Sequence, residues 1–334
     1  MVGATLPCSF AKSYGLQSRN SEIFFSLGGS PLQTINNQMT SQLDTLTQIN
    51  LDDLVSSFGW QKLPLLAAIL RGLFAKPARK FAGHMVEFDN LVGQVGLSQA
   101  SCRFLQKHYI QDLRVHGREH LPTSGPVLVL SNHPGMTDNV SLFAAVNRPD
   151  LRIIAIQRPF LESLYNISPQ LSYISDNPSE RMRAVRQISS HLRAGGVALT
   201  CPAGKIEPDP QVYSGALDSL DNWADSSGVF MRFARDTKIV PVLISGVIWE
   251  RTAHYWLTRI KRTREDRERL AAALQLLVMV TRDAQPTTVH VRFAKPITAD
   301  EVNPLDADCI HEKIIERMRC LIENQNDGDG ESIL

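Results

Sequence analysis

Long apolar runs are scarce in this chain. The best, Leu63–Leu70, falls far short of the ~18 residues that a membrane-spanning helix needs, so a soluble or peripheral protein is expected. Cysteines are few and scattered. The five (Cys8, Cys102, Cys201, Cys309 and Cys320) are odd in number and form no CxxC pair. That argues against a disulfide framework or a zinc site and fits a reducing compartment. Net charge is almost absent at +1, so no global field points to nucleic acid. Several signatures are missing as well. No Gly-x-Ser-x-Gly elbow marks an α/β-hydrolase, and neither a P-loop nor a dinucleotide fingerprint occurs. The serine-lysine pattern Ser9-Phe10-Ala11-Lys12 falls in a polar leader. No cofactor and no metal are expected.

What remains is ample core material: 334 residues, 43% of them hydrophobic, enough for one large α/β domain and a helical appendage. Residues 1–45 are rich in Ser, Asn, Gln and Gly and lack a period, which predicts disorder with at most a short element around Ile23-Phe24-Phe25. They show no basic-then-apolar pattern and few arginines, so neither a signal nor a transit peptide is expected. Residues 46–112 read as a helical subdomain. Asn50 caps a first turn holding Asp52 and Asp53, and Pro64 and Pro77 start or break helices. Leu63, Leu66, Ile69, Leu70, Leu73 and Phe74 recur at helical spacing among Lys62, Arg71, Lys76, Arg79 and Lys80. Such a face suits a membrane surface, or a helical subdomain packed on the core with a solvated basic rim.

From residue 113 to 325 strands and helices alternate. Strands are predicted at 113–117 (as an edge), 127–131, 151–156, 197–200, 239–244 and 288–293. Helices are predicted at 97–113, from Asp138, and at 179–193, 217–235, 265–283 and 308–323. Residues 326–334 read as a flexible tail. The alternation implies a mainly parallel central sheet covered by helices, with the N-terminal helical subdomain beside it. Ligands in such sheets gather beyond the carboxyl ends of the strands, where His133, Arg158 and the 202–207 loop fall.

The chain is organised around PVLVLSNHPGMTDNVSLFAAV, residues 126–146. An apolar strand ends in an Asn-His-Pro-Gly turn, and a helix pattern begins at Asp138. A neutral imidazole can take a proton near pH 7, and a carboxylate on its far nitrogen fixes the tautomer and stabilises the imidazolium. On one uninterrupted helix, residues five apart would sit on different faces; the Pro-Gly turn lets His133 and Asp138 meet. The plainer reading of the same pair is a turn histidine and an Asp placed on a helix dipole.

These residues, with others around them, resemble the glycerophospholipid acyltransferase family, which contains lysophosphatidic acid and glycerol-3-phosphate acyltransferases. The resemblance covers about Leu113 to Thr298. Asn132-His133-x4-Asp138 matches the first family motif, preceded by Val115-x-Gly117-x-Glu119-x-Leu121-Pro122. Arg158 ends the second motif and Ile239-Val240-Pro241-Val242 forms the fourth. The third, Phe-Pro-Glu-Gly-Thr-Arg in the family, is matched only in part by Cys201-Pro202-Ala203-Gly204-Lys205-Ile206. Ala203 stands where the family has glutamate and Ile206 where it has arginine, with Lys205 and Glu207 as charged neighbours.

The resemblance implies His133 as general base on an acceptor hydroxyl and Asp138 as its orienter. Arg158, Gly204 and Lys205 then bind the substrate phosphate. The donor is acyl-CoA or acyl carrier protein, and the acceptor a phosphorylated glycerolipid at a membrane surface, in a cytoplasmic, peripheral setting. The altered third motif leaves open the same chemistry on a different alcohol. An inactive lipid-binding member of the fold also stays open. Arg259–Arg264, a run of basic residues, reads as a solvated helix start or as a contact for anionic lipid or CoA phosphates.

Overall fold

The computed structural model describes residues 31–58, 62–175, 177–225, 227–302, 306–325 and 330–334. The polar leader's expected element at 23–25 and its serine-lysine pattern lie outside those residues. The chain divides into two units, Met1–Ser41 and Gln42–Leu334. In the first, the described residues are the opening turns of a helix.

That helix, α1 (Pro31–Phe58), begins inside the segment expected to be disordered. Its polar composition hides an apolar row, Leu46, Leu51 and Val55, which is buried within the second unit. Asn50 lies inside α1 and caps nothing. α2 (Pro64–Val95) starts at Pro64 but runs through Pro77. A proline lacks one intrahelical donor, and here the packing of Phe88, Met85 and Val92 on the core outweighs that loss. α3 (Leu97–His108) follows after Gly96, whose φ of 81° makes the corner. α2 and α3 share one core with the sheet, so the expected boundary at residue 112 does not separate compact units.

The remaining elements come in order. They are β1 (Asp112–His116), β2 (Val127–Ser131), α4 (Met136–Val146), β3 (Leu151–Ile156), the short α5 (Pro159–Glu162) and β4 (Leu171–Ile174). Then come α6 (Pro178–Arg193), β5 (Val197–Thr200), short α7 (Ala216–Ser219), α8 (Ser227–Phe233), β6 (Lys238–Ser245) and short α9 (Glu250–Ala253). α10 (Arg264–Arg282), β7 (Thr288–Phe293), α11 (Ala307–Glu323) and β8 (Glu331–Ser332) close the chain. The predicted helix 217–235 is therefore broken. Trp223 takes an extended conformation (ψ 129°) that turns its indole inward.

The strands form one eight-stranded sheet in the order β4-β3-β5-β2-β6-β7-β1-β8. The first five run parallel; β7 is antiparallel to β6, and β1 is parallel to β7. β1 is not an edge. Within the expected flexible tail, Glu331 and Ser332 pair antiparallel with Val115 and Arg114, and the Ser332 hydroxyl donates to Asp112 at 2.6 Å. β2 sits in the centre, its five residues buried. Val127 and Val129 face a layer that includes residues of α2, α3, α4 and α10. Leu128 and Leu130 face Ile188 and Leu192 of α6, Met231 of α8, and Ile310 and Ile314 of α11. Each such side chain contributes about 1.5–3 kcal/mol by leaving water. A strand anchored on both faces is a rigid mount for whatever its carboxyl end presents.

Candidate active site

β2 leads directly into Asn132 and His133. The Asn132 amide accepts from the Ile244 N–H at 2.8 Å and donates to the Ile244 carbonyl at 2.9 Å, reproducing a strand's hydrogen-bond pair with a side chain. This pins the turn to β6. Asp138 lies in the first turn of α4 with no exposed surface. Its Oδ2 accepts from the Gly135 N–H at 2.9 Å, which caps the helix, and from His133 Nδ1 at 2.7 Å. Oδ1 accepts from the Asn139 backbone N–H and, at 3.1 Å, from its side-chain amide. With Nδ1–H committed to the carboxylate, the free lone pair is on Nε2. No partner occupies Nε2 among the described residues, and the ring lines a cavity. Burial of the ring works against the imidazolium, but Asp138, with Glu207 behind it, outweighs burial and raises His133 above its ordinary pKa. Arg158 pulls the other way.

Glu207 completes the mount. Its N–H donates to the His133 carbonyl at 2.9 Å, and its Oε2 accepts from the His133 N–H at 3.1 Å. Oε1 accepts from the Trp223 indole at 2.8 Å and the Ser219 hydroxyl at 3.2 Å. Burial is the dominant influence and lifts Glu207 from 4.5 to about 7. Two residues on, Asp209 accepts backbone N–H groups of Gln211 (3.0 Å), Gly246 (3.1 Å) and Ile248 (2.8 Å), tying the same loop to the segment after β6. Sequence reasoning noted Glu207 only as a charged neighbour and missed Asp209 and Trp223. The spacing Glu-Pro-Asp directly after a strand-end loop was the available signal.

The cavity has a volume of about 860 Å³. Most of its wall is apolar, with Phe74, Phe81, Phe88, Phe143, Leu164 and Leu277 among the contributors. Its polar wall holds His133, Asn139, Thr200, Cys201, Arg158 and Asp53. Arg158 is exposed at the start of α5, as expected for a strand-end arginine, and Gly204 lines the same cavity with φ 62°, a conformation suited to glycine. Lys205 is exposed and does not line the cavity, whereas Ile206 does. Burial holds the Cys201 thiol well above its usual pKa, and the carboxylates of Asp138 and Glu207 add to that. It stays protonated and is a poor nucleophile. Among the described residues, no group of three or more His, Cys, Asp and Glu side chains is arranged to hold a metal ion.

A family model described as Acyltransferase matches residues 112–245. The matched acyltransferase segment runs from β1 through β6 and contains His133, Asp138, Arg158 and the 202–207 loop. No curated protein sequence matches the chain. Among solved structures, the 1-acyl-sn-glycerophosphate (LPA) acyltransferase PlsC from Thermotoga maritima aligns over 89% of this chain and 99% of that one, at 15% identity and a TM-score of 0.42.

Proposed function

We propose that this protein moves a fatty acyl group from a thioester, acyl-CoA or acyl carrier protein, to the hydroxyl of 1-acylglycerol 3-phosphate or glycerol 3-phosphate. One observation carries the reading: a His133–Asp138 pair at the polar wall of an apolar, acyl-sized cavity. His133 Nε2 takes the acceptor's hydroxyl proton as its oxygen attacks the thioester carbonyl carbon. The tetrahedral intermediate expels the thiolate, which recovers that proton from the imidazolium, leaving an ester and a free thiol. Asp138 stabilises the imidazolium throughout. Holding donor and acceptor together supplies the rest of the acceleration. Arg158 grips the acceptor phosphate, and the open backbone at Gly204 lets a ligand approach, with the Lys205 charge beyond it.

Among the described residues no helix is long and apolar enough to cross a membrane. The first turns of α2 nonetheless expose Leu65 (74%), Ile69 and Leu73 (69%), which supports a peripheral position on a cytoplasmic membrane surface. A second reading, the same chemistry on another alcohol, is favoured by Ala203 and Ile206, because the third motif then lacks its anion-binding arginine.

The test is thiol release from palmitoyl-CoA or palmitoyl carrier protein, with and without lysophosphatidic acid or glycerol 3-phosphate. Release that depends on the acceptor and falls about 10²–10⁴-fold in His133→Ala is expected. Release that depends only on a different alcohol would establish the second reading. A folded protein that binds lipid and releases no thiol with any acceptor would be an inactive member of the fold.

A further inference from the structure

Between α9 and α10 the chain reads Tyr-Trp-Leu-Thr-Arg-Ile-Lys-Arg-Thr-Arg, residues 255–264. A 3₁₀ turn spans Trp256–Ile260 and is held from beneath. Thr258 is buried, and its hydroxyl donates to the Tyr255 carbonyl at 2.7 Å. That scaffold turns the large side chains outward: Trp256 is 61% exposed, Ile260 67% and Tyr255 43%. The Tyr255 and Trp256 rings lie 5.9 Å apart and make a two-ring platform. Around them the charge is positive. Arg259 and Arg262 are exposed and make no ion pair among the described residues. Of the acids that follow, Glu265 pairs with Arg269 at 2.7 Å and Glu268 with Arg264 at 2.8 Å, and Asp266 sits in the first turn of α10.

Tyr, Trp and Arg are enriched at protein–protein interfaces too, so the choice of a bilayer rests on the density of cations, Arg259, Lys261, Arg262 and Arg264 within six residues, and on the apolar cavity that the following helix lines. A bilayer surface suits that mixture. Trp and Tyr settle at headgroup level, an aliphatic side chain enters the acyl boundary, and guanidinium groups pair with lipid phosphates. The segment also leads straight into α10, whose Leu270, Leu274 and Leu277 line the apolar cavity. α2 lines the same cavity through Phe74, Pro77 and Phe81, and it carries the other exposed apolar row.

The geometry points to residues 255–264 as a second docking element, specific for anionic bilayers, that acts with α2 to bring the cavity to the lipid surface. It rests on the membrane-surface part of the reading above and is independent of the chemistry. The test is vesicle flotation of the full chain with phosphatidylcholine alone and with phosphatidylglycerol added. The variants are R259Q/R262Q, W256S/I260S and L65S/L73S; all six positions are exposed, and circular dichroism checks the fold. Wild type should prefer the anionic vesicles. R259Q/R262Q should lose about 30-fold in partition there and nothing on neutral vesicles, and W256S/I260S should weaken binding to both. Loss confined to L65S/L73S would overturn the loop and leave α2 as the sole contact. Wild type that floats with neither vesicle would overturn loop and membrane reading together. Variants that change oligomeric mass with unchanged flotation would make the patch a protein interface and also overturn it.

Discussion

Replacing Asp138 by asparagine keeps the volume of a fully buried side chain and changes only its donors, acceptors and charge. The native carboxylate meets four donors: His133 Nδ1 and the Gly135 N–H on Oδ2, and the Asn139 backbone N–H and side-chain amide on Oδ1. An amide offers one acceptor oxygen and one NH₂. Turned so that oxygen faces His133, its NH₂ confronts both the Asn139 backbone N–H and its side-chain amide. Turned the other way, it donates to Nδ1 and forces the proton onto Nε2, where no base remains. Both orientations delete the charge that stabilises the imidazolium. Each mismatched buried donor costs on the order of 1–3 kcal/mol, so circular dichroism has to accompany the assay to check the fold. The catalytic loss is larger. General base help is worth about 10²–10⁴-fold, and the same change in a serine-protease triad costs about 10⁴, so turnover should fall about 10³-fold, or ~4 kcal/mol in the barrier. The pH profile should move as well. Wild-type rates fall in acid as His133, raised by Asp138, takes up its proton. Without the carboxylate that limb shifts to lower pH while the plateau drops. Acceptor-dependent thiol release across pH reads both effects. Turnover within about tenfold of wild type, or an acid limb that stays in place, would refute the assigned role.

Two further outcomes concern the mount. Glu207 has a folded pKa of about 7 against 4.5 unfolded, so its stabilising contribution is complete below pH 4.5 and is lost as pH rises through about 7. Thermal melts of Glu207→Gln across that window should show a flatter pH dependence than wild type. Asn132→Ala removes both side-chain bonds to Ile244 and leaves that residue's buried N–H and C=O unpaired. Urea unfolding should report a loss of about 2–4 kcal/mol with no change in the slope against denaturant.

The fold was legible where local pattern and tertiary context agree. β2, β5 and β6 are unbroken apolar runs because both their faces are covered, and a run without alternation needs no partner to be recognised. Asn177 capping α6 through the Ser179 N–H is a purely local event. β4 escaped because only one of its four residues is buried. β8 escaped because Glu331 and Ser332 are polar and exposed, so backbone pairing to β1 alone defines the strand. α1 was hidden by a polar composition whose buried row becomes visible only once the rest of the second unit is there to cover it. At the site, His133 and Asp138 could be paired from sequence because five residues and a Pro-Gly turn limit the ways they can meet. The Glu207 contact, 74 residues from His133, depends on β5 lying beside β2, which no local period encodes.

That long-range contact changes how the departures at Ala203 and Ile206 should be weighed. Under the proposed function the 202–207 loop has two separable duties, holding His133 and meeting the acceptor. The first is intact. Glu207 bonds both backbone polar groups of His133, Trp223 and Ser219 hold the carboxylate, and Asp209 fastens the loop from its other side. Substitutions at 203 and 206 touch none of these bonds. The second duty is altered, since the cavity wall at 206 is an isoleucine and the Lys205 charge stands outside it. Selection for turnover and selection for an acceptor therefore act on different atoms of one loop. A chain can keep the full base machinery while the loop's arginine contact to phosphate is gone, leaving Arg158 as the cation on the cavity wall. On this reasoning Arg158→Gln should abolish any preference for phosphorylated over unphosphorylated acceptors while the thiol-release rate at saturating acceptor is largely retained. A rate that collapses for both acceptor classes alike would place Arg158 in the chemistry, and the two duties would not be separable.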